Sequence, residues 1–96
     1  MMSMNGYAIS FDMEIELLEQ FYGTPYNPAY AEIRQVLMRN GFEWIKGSTY
    51  VTKGGLVELT AAMHELKSIE WFRKSVRDIR GFKIEEWSDF TSFIKK

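Results

Sequence analysis

The feature that most constrains this chain is the way its apolar residues change period, from two to about 3.6 and back, along its length. Gly6-Tyr7-Ala8-Ile9-Ser10-Phe11-Asp12 is a short apolar and aromatic run opened by Asn5-Gly6, and it reads as a central strand. Glu14 to Phe21 follows with Ile15, Leu18 and Tyr22 on one side, two helical turns stopped by Gly23 where a helix C-cap favours glycine. Asn27 stands as an N-cap before Pro28, and Tyr30, Ile33 and Leu37 carry helical spacing as far as Asn40-Gly41. Phe42-Glu43-Trp44-Ile45-Lys46 alternates at period two, pauses at Gly47-Ser48 and resumes as Thr49-Tyr50-Val51-Thr52. This predicts two strands joined by a tight turn, or one strand bent at a glycine bulge. After Gly54-Gly55 comes a second long helix, with Leu56, Leu59, Met63 and Leu66 as its core stripe. Ile79 to Glu85 reads as a strand buried on the side of Phe82 and Ile84; Ile79 is out of that phase, which predicts a bulge at Gly81. Phe90, Phe93 and Ile94 predict a short terminal helix with Ser88 as its cap.

The resulting order interleaves helices with strands, so both helices are expected to cover one sheet face and leave the other bare. The expected fold is α+β, a ferredoxin-like sandwich: an antiparallel sheet with helices on one face. Its uncovered face is expected to carry aromatic residues and to serve as a homodimer surface. Ninety-six residues suffice for one core and not for separate catalytic and binding lobes. A single domain is expected over residues 5–96, with 1–4 as a disordered extension whose doubled methionines read as an upstream start. That start lacks the basic and apolar regions of a secretory signal, and no apolar run approaches the roughly 20 residues of a membrane helix. The absence of cysteine excludes disulfides and thiolate metal sites, and the expected location is cytoplasmic.

A net charge of −1 argues against a protein that coats nucleic acid by charge alone. The distribution is less even. Residues 1–33 hold five acids and no Lys or Arg, whereas Lys67 to Lys83 holds six bases against Glu70 and Asp78, a local net of +4. Such asymmetry can serve phosphate binding, self-association or solubility.

Four groups of residues could carry chemistry. Asp12 ends an apolar strand, where a carboxylate either points into a site or merely caps a turn. Gly47-Ser48-Thr49-Tyr50 offers hydroxyls and a glycine that admits a phosphate near the backbone, or is only a polar strand edge. Arg77 and Arg80 flank Asp78, a set that either binds a charge-accumulating phosphoryl group or fastens a loop by an ion pair. His64 is the one histidine and lies mid-helix at the border of the core stripe, so a histidine pair cannot form within one chain. No cofactor is firmly indicated. Mg²⁺ at Asp12 is conceivable, because that ion keeps waters and binds through few protein groups, and a two-fold dimer could bring two copies of Asp12 together.

Taken together, three segments resemble one family. Tyr7-Ala8-Ile9-Ser10-Phe11-Asp12 is similar to the opening strand of the virulence-associated protein D (VapD) family, and Gly41-Phe42 with Gly47-Ser48-Thr49-Tyr50 to its second motif. The run from Trp71 to Glu85, followed by Trp87-Ser88-Asp89-Phe90-Thr91, resembles its most distinctive block. With the helices between them these segments span Tyr7 to near the C-terminus. The resemblance implies a ferredoxin-like fold related to the small nuclease-fold subunits of CRISPR adaptation, homodimerisation, RNA cleavage, and in some members a small protein antitoxin. It puts Asp12 in a dimer cleft as a catalytic residue, with Ser48 and Tyr50 lining that cleft and Arg77, Asp78 and Arg80 binding substrate. The expected function is therefore an endoribonuclease toxin. The rival reading is a non-catalytic RNA- or protein-binding dimer of the same fold, stacking bases on Tyr7, Trp44 and Tyr50 if these rings face outward.

Overall fold

In the computed structural model, which describes residues 3–96 and side chains from Asn5 onward, the period-two segments become four strands. These are β1 (Ser3–Met13), β2 (Glu43–Lys46), β3 (Thr49–Thr52) and β4 (Val76–Ser88). The helices are α1 (Ile15–Phe21), α2 (Asn27–Arg39), α3 (Leu56–Ser68), α4 (Glu70–Ser75) and α5 (Thr91–Lys95). The strands form one sheet in the order β2-β3-β1-β4, every neighbouring pair antiparallel. With helices between β1 and β2 and between β3 and β4, this is the ferredoxin-like α+β arrangement expected.

Residues directly opposite each other in antiparallel strands share a face, so the register sorts the side chains. Ile9 stands opposite Tyr50 on one side and Gly81 on the other, and Phe11 opposite Ile79. Together with Met13 these strand residues face the helices, where Leu18, Ile33, Leu37, Ala62, Leu66 and Phe72 complete the core. Phe11 lies near-parallel to Tyr50 and meets Phe72 edge-on. The opposite face holds Ala8, Val51, Ile84 and Trp87 as a second, smaller apolar cluster with no helix over it.

The two-strand reading of residues 42–52 holds, with Gly47 at φ 53° in the turn. The bulge expected at Gly81 is absent. Pairing runs unbroken from Gly6↔Ile84 to Asp12↔Asp78, and the irregularities fall at Met4/Gly6 and Asp12/Met13. Ile79 is out of phase with Phe82 because β4 carries apolar residues on both faces. Gly81 instead marks where α3 comes close, since a Cβ there would lie 3.0 Å from Leu59 Cδ1 and 3.2 Å from Met63 Cε. The α3 stripe also differs from expectation: Leu56 is 58% exposed, and Ala62 takes a buried place. Asn27 begins α2 without a side-chain cap, and Asp89, not Ser88, accepts the Thr91 N–H at 2.8 Å to start α5. Ser3 and Met4 pair with Ser88 and Trp87 as part of β1, while the expectation for Met1 and Met2 lies outside the described residues.

Candidate active site

Alternation along β1 buries Ile9, Phe11 and Met13 and turns Ser10 and Asp12 to the bare face. Asp12 is exposed and stands directly across from Asp78 in β4; Ser10 stands across from Arg80 on one side and Thr49 on the other. One end of the bare face therefore gathers Asp12, Asp78, Arg80, Ser10 and Thr49. Ser48 joins them through the backbone, since its carbonyl accepts the Phe11 N–H at 3.2 Å and holds the β2–β3 turn beside Asp12.

Two carboxylates facing each other across a strand pair repel, and the cations nearby offset this. Arg80 Nε donates to both Asp78 oxygens at 3.2 Å, while the rest of its side chain stays 75% exposed. Arg77, at the irregularity next to Asp78, is committed elsewhere. It grips Glu14 with two bonds of 3.0 and 2.8 Å. That bond holds the Glu14 carboxyl below its ordinary range and raises the Arg77 guanidinium above its own, with the Asp12 charge adding a smaller push to Arg77. Tyr30, on α2, feels Asp12 as well. Burial comes first, then the Tyr26 hydroxyl, then Asp12, and together they push the Tyr30 phenol up, so it remains a neutral donor.

Tyr50 is not brought together with Asp12. It is 2% exposed on the helix side of the sheet, and its hydroxyl accepts a hydrogen bond from Arg34 Nε at 3.2 Å. The reason is register: Tyr50 opposes Ile9, a core position, whereas Thr49 opposes Ser10. By the same alternation Tyr7 and Trp44 also lie on the helix side, so the three rings do not form a stacking surface on the bare face. His64 is exposed on α3 beside Thr60, Met63 and Lys67.

Sequence reasoning missed Ser10, Glu14, Tyr30 and Arg34. Ser10 was within reach, since it lies two residues before Asp12 in a period-two strand. Tyr30 was read only as a helix-stripe residue, and Arg34 lies one turn further along the same helix.

For metal binding, Asp12 and Asp78 offer two carboxylates on one face, and among the described residues no group of three or more His, Cys, Asp or Glu is placed to hold an ion. No step is derived through a metal ion.

The chain is 51% identical over 92 residues to the Endoribonuclease VapD of Helicobacter pylori, an alignment covering 93% of this chain and 98% of that protein. The chain belongs to the VapD family. The VapD of Dichelobacter nodosus is likewise 51% identical, over 90 residues, with 93% and 97% covered. That of Haemophilus influenzae is 40% identical over 90 residues, with 93% and 98% covered. No protein-family model matches the chain. An alignment over 93% of the chain takes in the Asp12 end of the sheet. Among the described residues of this VapD chain, no helix is long and apolar enough to cross a membrane.

Proposed function

We propose that this VapD chain is an endoribonuclease whose reaction runs at the Asp12 end of the bare sheet face. The observation that carries the reading is the exposed Asp12 carboxylate directly opposite Asp78, with the Arg80 guanidinium on the same face. A carboxylate there can take the proton from an attacking hydroxyl, and a guanidinium beside it can stabilise charge accumulating on the phosphoryl oxygens. Asp78 orients Arg80 by its two contacts. Arg77 contributes field more than contact, because Glu14 occupies its fork. Ser48, in a turn held to β1, supplies a hydroxyl and backbone donors for the phosphate. Tyr50 acts from behind the sheet, by holding Arg34.

The proposal includes a homodimer formed through the bare face. On that face Phe82 is 48% exposed, Ile84 and Trp87 are partly exposed, and Trp87 Nε1 is buried with no acceptor among the described residues, whereas Ala8 and Val51 are already buried within the chain. A second copy seated there would cover Phe82, Ile84 and Trp87, and a two-fold axis near β1 would bring the two Asp12 residues into one cleft. The toxin–antitoxin setting and the cytoplasmic location rest on the family resemblance, with the lack of cysteine in keeping with a reducing compartment.

The test incubates a defined RNA with wild type and Asp12→Asn, with and without EDTA, and analyses the product ends. Cleavage is expected to fall at least about 100-fold in the variant, the lower bound for losing a general base. Full activity in a folded Asp12→Asn would sink the proposal. Absence of cleavage by folded wild type across varied RNAs would support the non-catalytic binding dimer, and loss of cleavage in EDTA alone would assign the missing donors to a metal.

A further inference from the structure

Strand β2 changes faces part-way along its length. Trp44 stands opposite Tyr50 on the helix side, and two residues on an undisturbed strand would return Lys46 to that same side. The pairing is irregular between Trp44 and Lys46, however, and Lys46 stands opposite Thr49 instead. Thr49 opposes Ser10, and Ser10 opposes Arg80, all on the bare face. The irregularity thus delivers Lys46 to the face that bears Asp12, the re-aiming of a side chain that β-bulges perform. Lys46 is exposed and pairs with no carboxylate among the described residues. The cleavage chemistry proposed above gives it no part.

Register lines up Lys46, Thr49, Ser10 and Arg80 across the sheet, one residue from each strand. At about 4.8 Å per strand spacing this line is roughly 14 Å long. It has a cation at each end and two hydroxyls between, all of them groups that bind phosphate oxygens. Its neighbours on the same face differ. On one side, two residues along β1 and β4 and so about 7 Å away, stand Asp12 and Asp78. On the other side stand Glu43 and then the apolar Val51, Ala8 and Phe82. A phosphodiester backbone therefore finds cations and hydroxyls without a carboxylate along the line from Lys46 to Arg80. Arg80, through its contacts with Asp78, joins that line to the acidic pair.

We infer that Lys46 holds a phosphate of an RNA strand whose backbone crosses the sheet along this line, with the scissile phosphate at the Ser10–Arg80 end beside Asp12. The inference rests on the ribonuclease reading above and gives its substrate a path. Lys46 binds an uncut phosphate two strands away from Asp12 and does not touch the reacting atoms. Phosphate contacts fix position along a strand and carry no base identity, so Lys46 supplies affinity and placement to every sequence alike.

The experiment measures binding of a short single-stranded RNA to Asp12→Asn over a series of salt concentrations, alone and with Lys46→Gln, Lys46→Arg or Lys95→Ala added. Lys95 lies in α5, beyond the far end of β4, and reports what any lost positive charge costs. Steady-state cleavage is measured for the same three substitutions in the wild-type background. Lys46→Gln is expected to weaken binding about fivefold, the upper worth of one exposed ion pair. It should also flatten the slope of log affinity against log salt by about 0.7, the share of one phosphate contact on a single strand. Lys46→Arg is expected to retain both, and Lys95→Ala to change neither. In the cleavage assay Lys46→Gln should raise KM by a similar factor and leave turnover within a few-fold of wild type. Unchanged affinity and slope in folded Lys46→Gln, an equal loss in Lys95→Ala, or slower turnover at constant KM overturns the inference and leaves the ribonuclease reading standing. Wild type that cleaves no RNA overturns the ribonuclease reading instead, and the salt slopes still decide whether Lys46 holds a phosphate.

Discussion

Replacing Tyr50 by Phe separates a catalytic tyrosine from a positioning one. The substitution keeps the ring that lies parallel to Phe11 at 6.3 Å and removes only the hydroxyl that accepts from Arg34 Nε at 3.2 Å. Hydrogen bonds to charged groups contribute about 1.5–3 kcal/mol, but this one is long and Arg34 is half-exposed, so about 1 kcal/mol is the reasonable figure. Arg34 loses a partner without being stranded, because water reaches it and the Trp44 ring still faces it. A domain of this size loses roughly 4–8 °C of Tm per kcal/mol, so Tyr50→Phe is expected to melt about 4–8 °C below wild type. In an RNA cleavage assay turnover and KM should both stay within a few-fold of wild type, because the hydroxyl lies on the helix side of the sheet, away from Asp12. A direct proton-transfer role predicts a different pair of results: turnover slowed by about two orders of magnitude or more, with little change in Tm. That outcome would refute the placement of Tyr50 behind the sheet and mean that its hydroxyl reaches the Asp12 end in the working enzyme.

Three further outcomes follow from the geometry. Gly6→Ala should be severe, because its Cβ would lie 1.8 Å from the Thr52 carbonyl oxygen in the neighbouring strand; the cost expected is at the top of the overpacking range, about 3 kcal/mol, and a chemical-denaturation midpoint equal to wild type would contradict it. Asp12→Asn, while losing cleavage, should leave stability within a few tenths of a kcal/mol of wild type, since the repulsion from Asp78 and the attraction to Arg77 are removed together from an exposed site; a Tm several degrees below wild type would argue that Asp12 holds the fold. Glu14, Glu65 and Glu70 are held below their ordinary 4.5, and Asp89 below 3.8, by bonds from Arg77, from Asn40 and Arg39, from Lys74 and from Thr91 respectively. Carboxylates with lowered folded values stabilise fully above their unfolded values and lose that stabilisation as pH falls through the folded ones. Tm should therefore be flat from about pH 7 to 5 and drop below the carboxylate range, and a transition centred near pH 6–7 would show that another group dominates.

Element order was legible because helical and strand periods need no knowledge of the rest of the chain: Ile33 and Leu37 mark the buried side of α2, and the alternation around Trp44 marks β2 as a strand although all four of its residues are exposed. What failed was of another kind. The face on which Tyr50 lies depends on its pairing with Ile9, and pairing between strands leaves no mark in the period of either. The short helix α4 eluded the pattern because Trp71 and Phe72 are adjacent, with only Phe72 and Ser75 buried, too few positions to show a period. The Glu14–Arg77 fork joins residues 63 apart, and in the sequence each is only one more charge in an acidic or a basic stretch. Asp12 could be singled out as a strand-end carboxylate, but its environment of Asp78, Arg80, Ser10 and Thr49 belongs to the register.

Register is thus the step at which folding and chemistry are joined. In β1 the odd positions Ile9, Phe11 and Met13 are buried in the core and the even positions Ser10 and Asp12 are left for the site. A slip of one residue would exchange the two sets, burying Asp12 and exposing Phe11. The core forbids that exchange, because an unpaired carboxylate under the helices would cost several kcal/mol. The register that buries most apolar surface is therefore also the one that leaves the carboxylate free. The Phe11–Ser48 backbone bond and the positive φ of Gly47 then fix where the β2–β3 turn stands beside it. On this logic the hydroxyls of Ser48 and Thr49 are held near Asp12 by the same contacts that close the core. Substitutions that loosen the Ile9–Tyr50 pairing should then impair cleavage while every residue of the site remains in place.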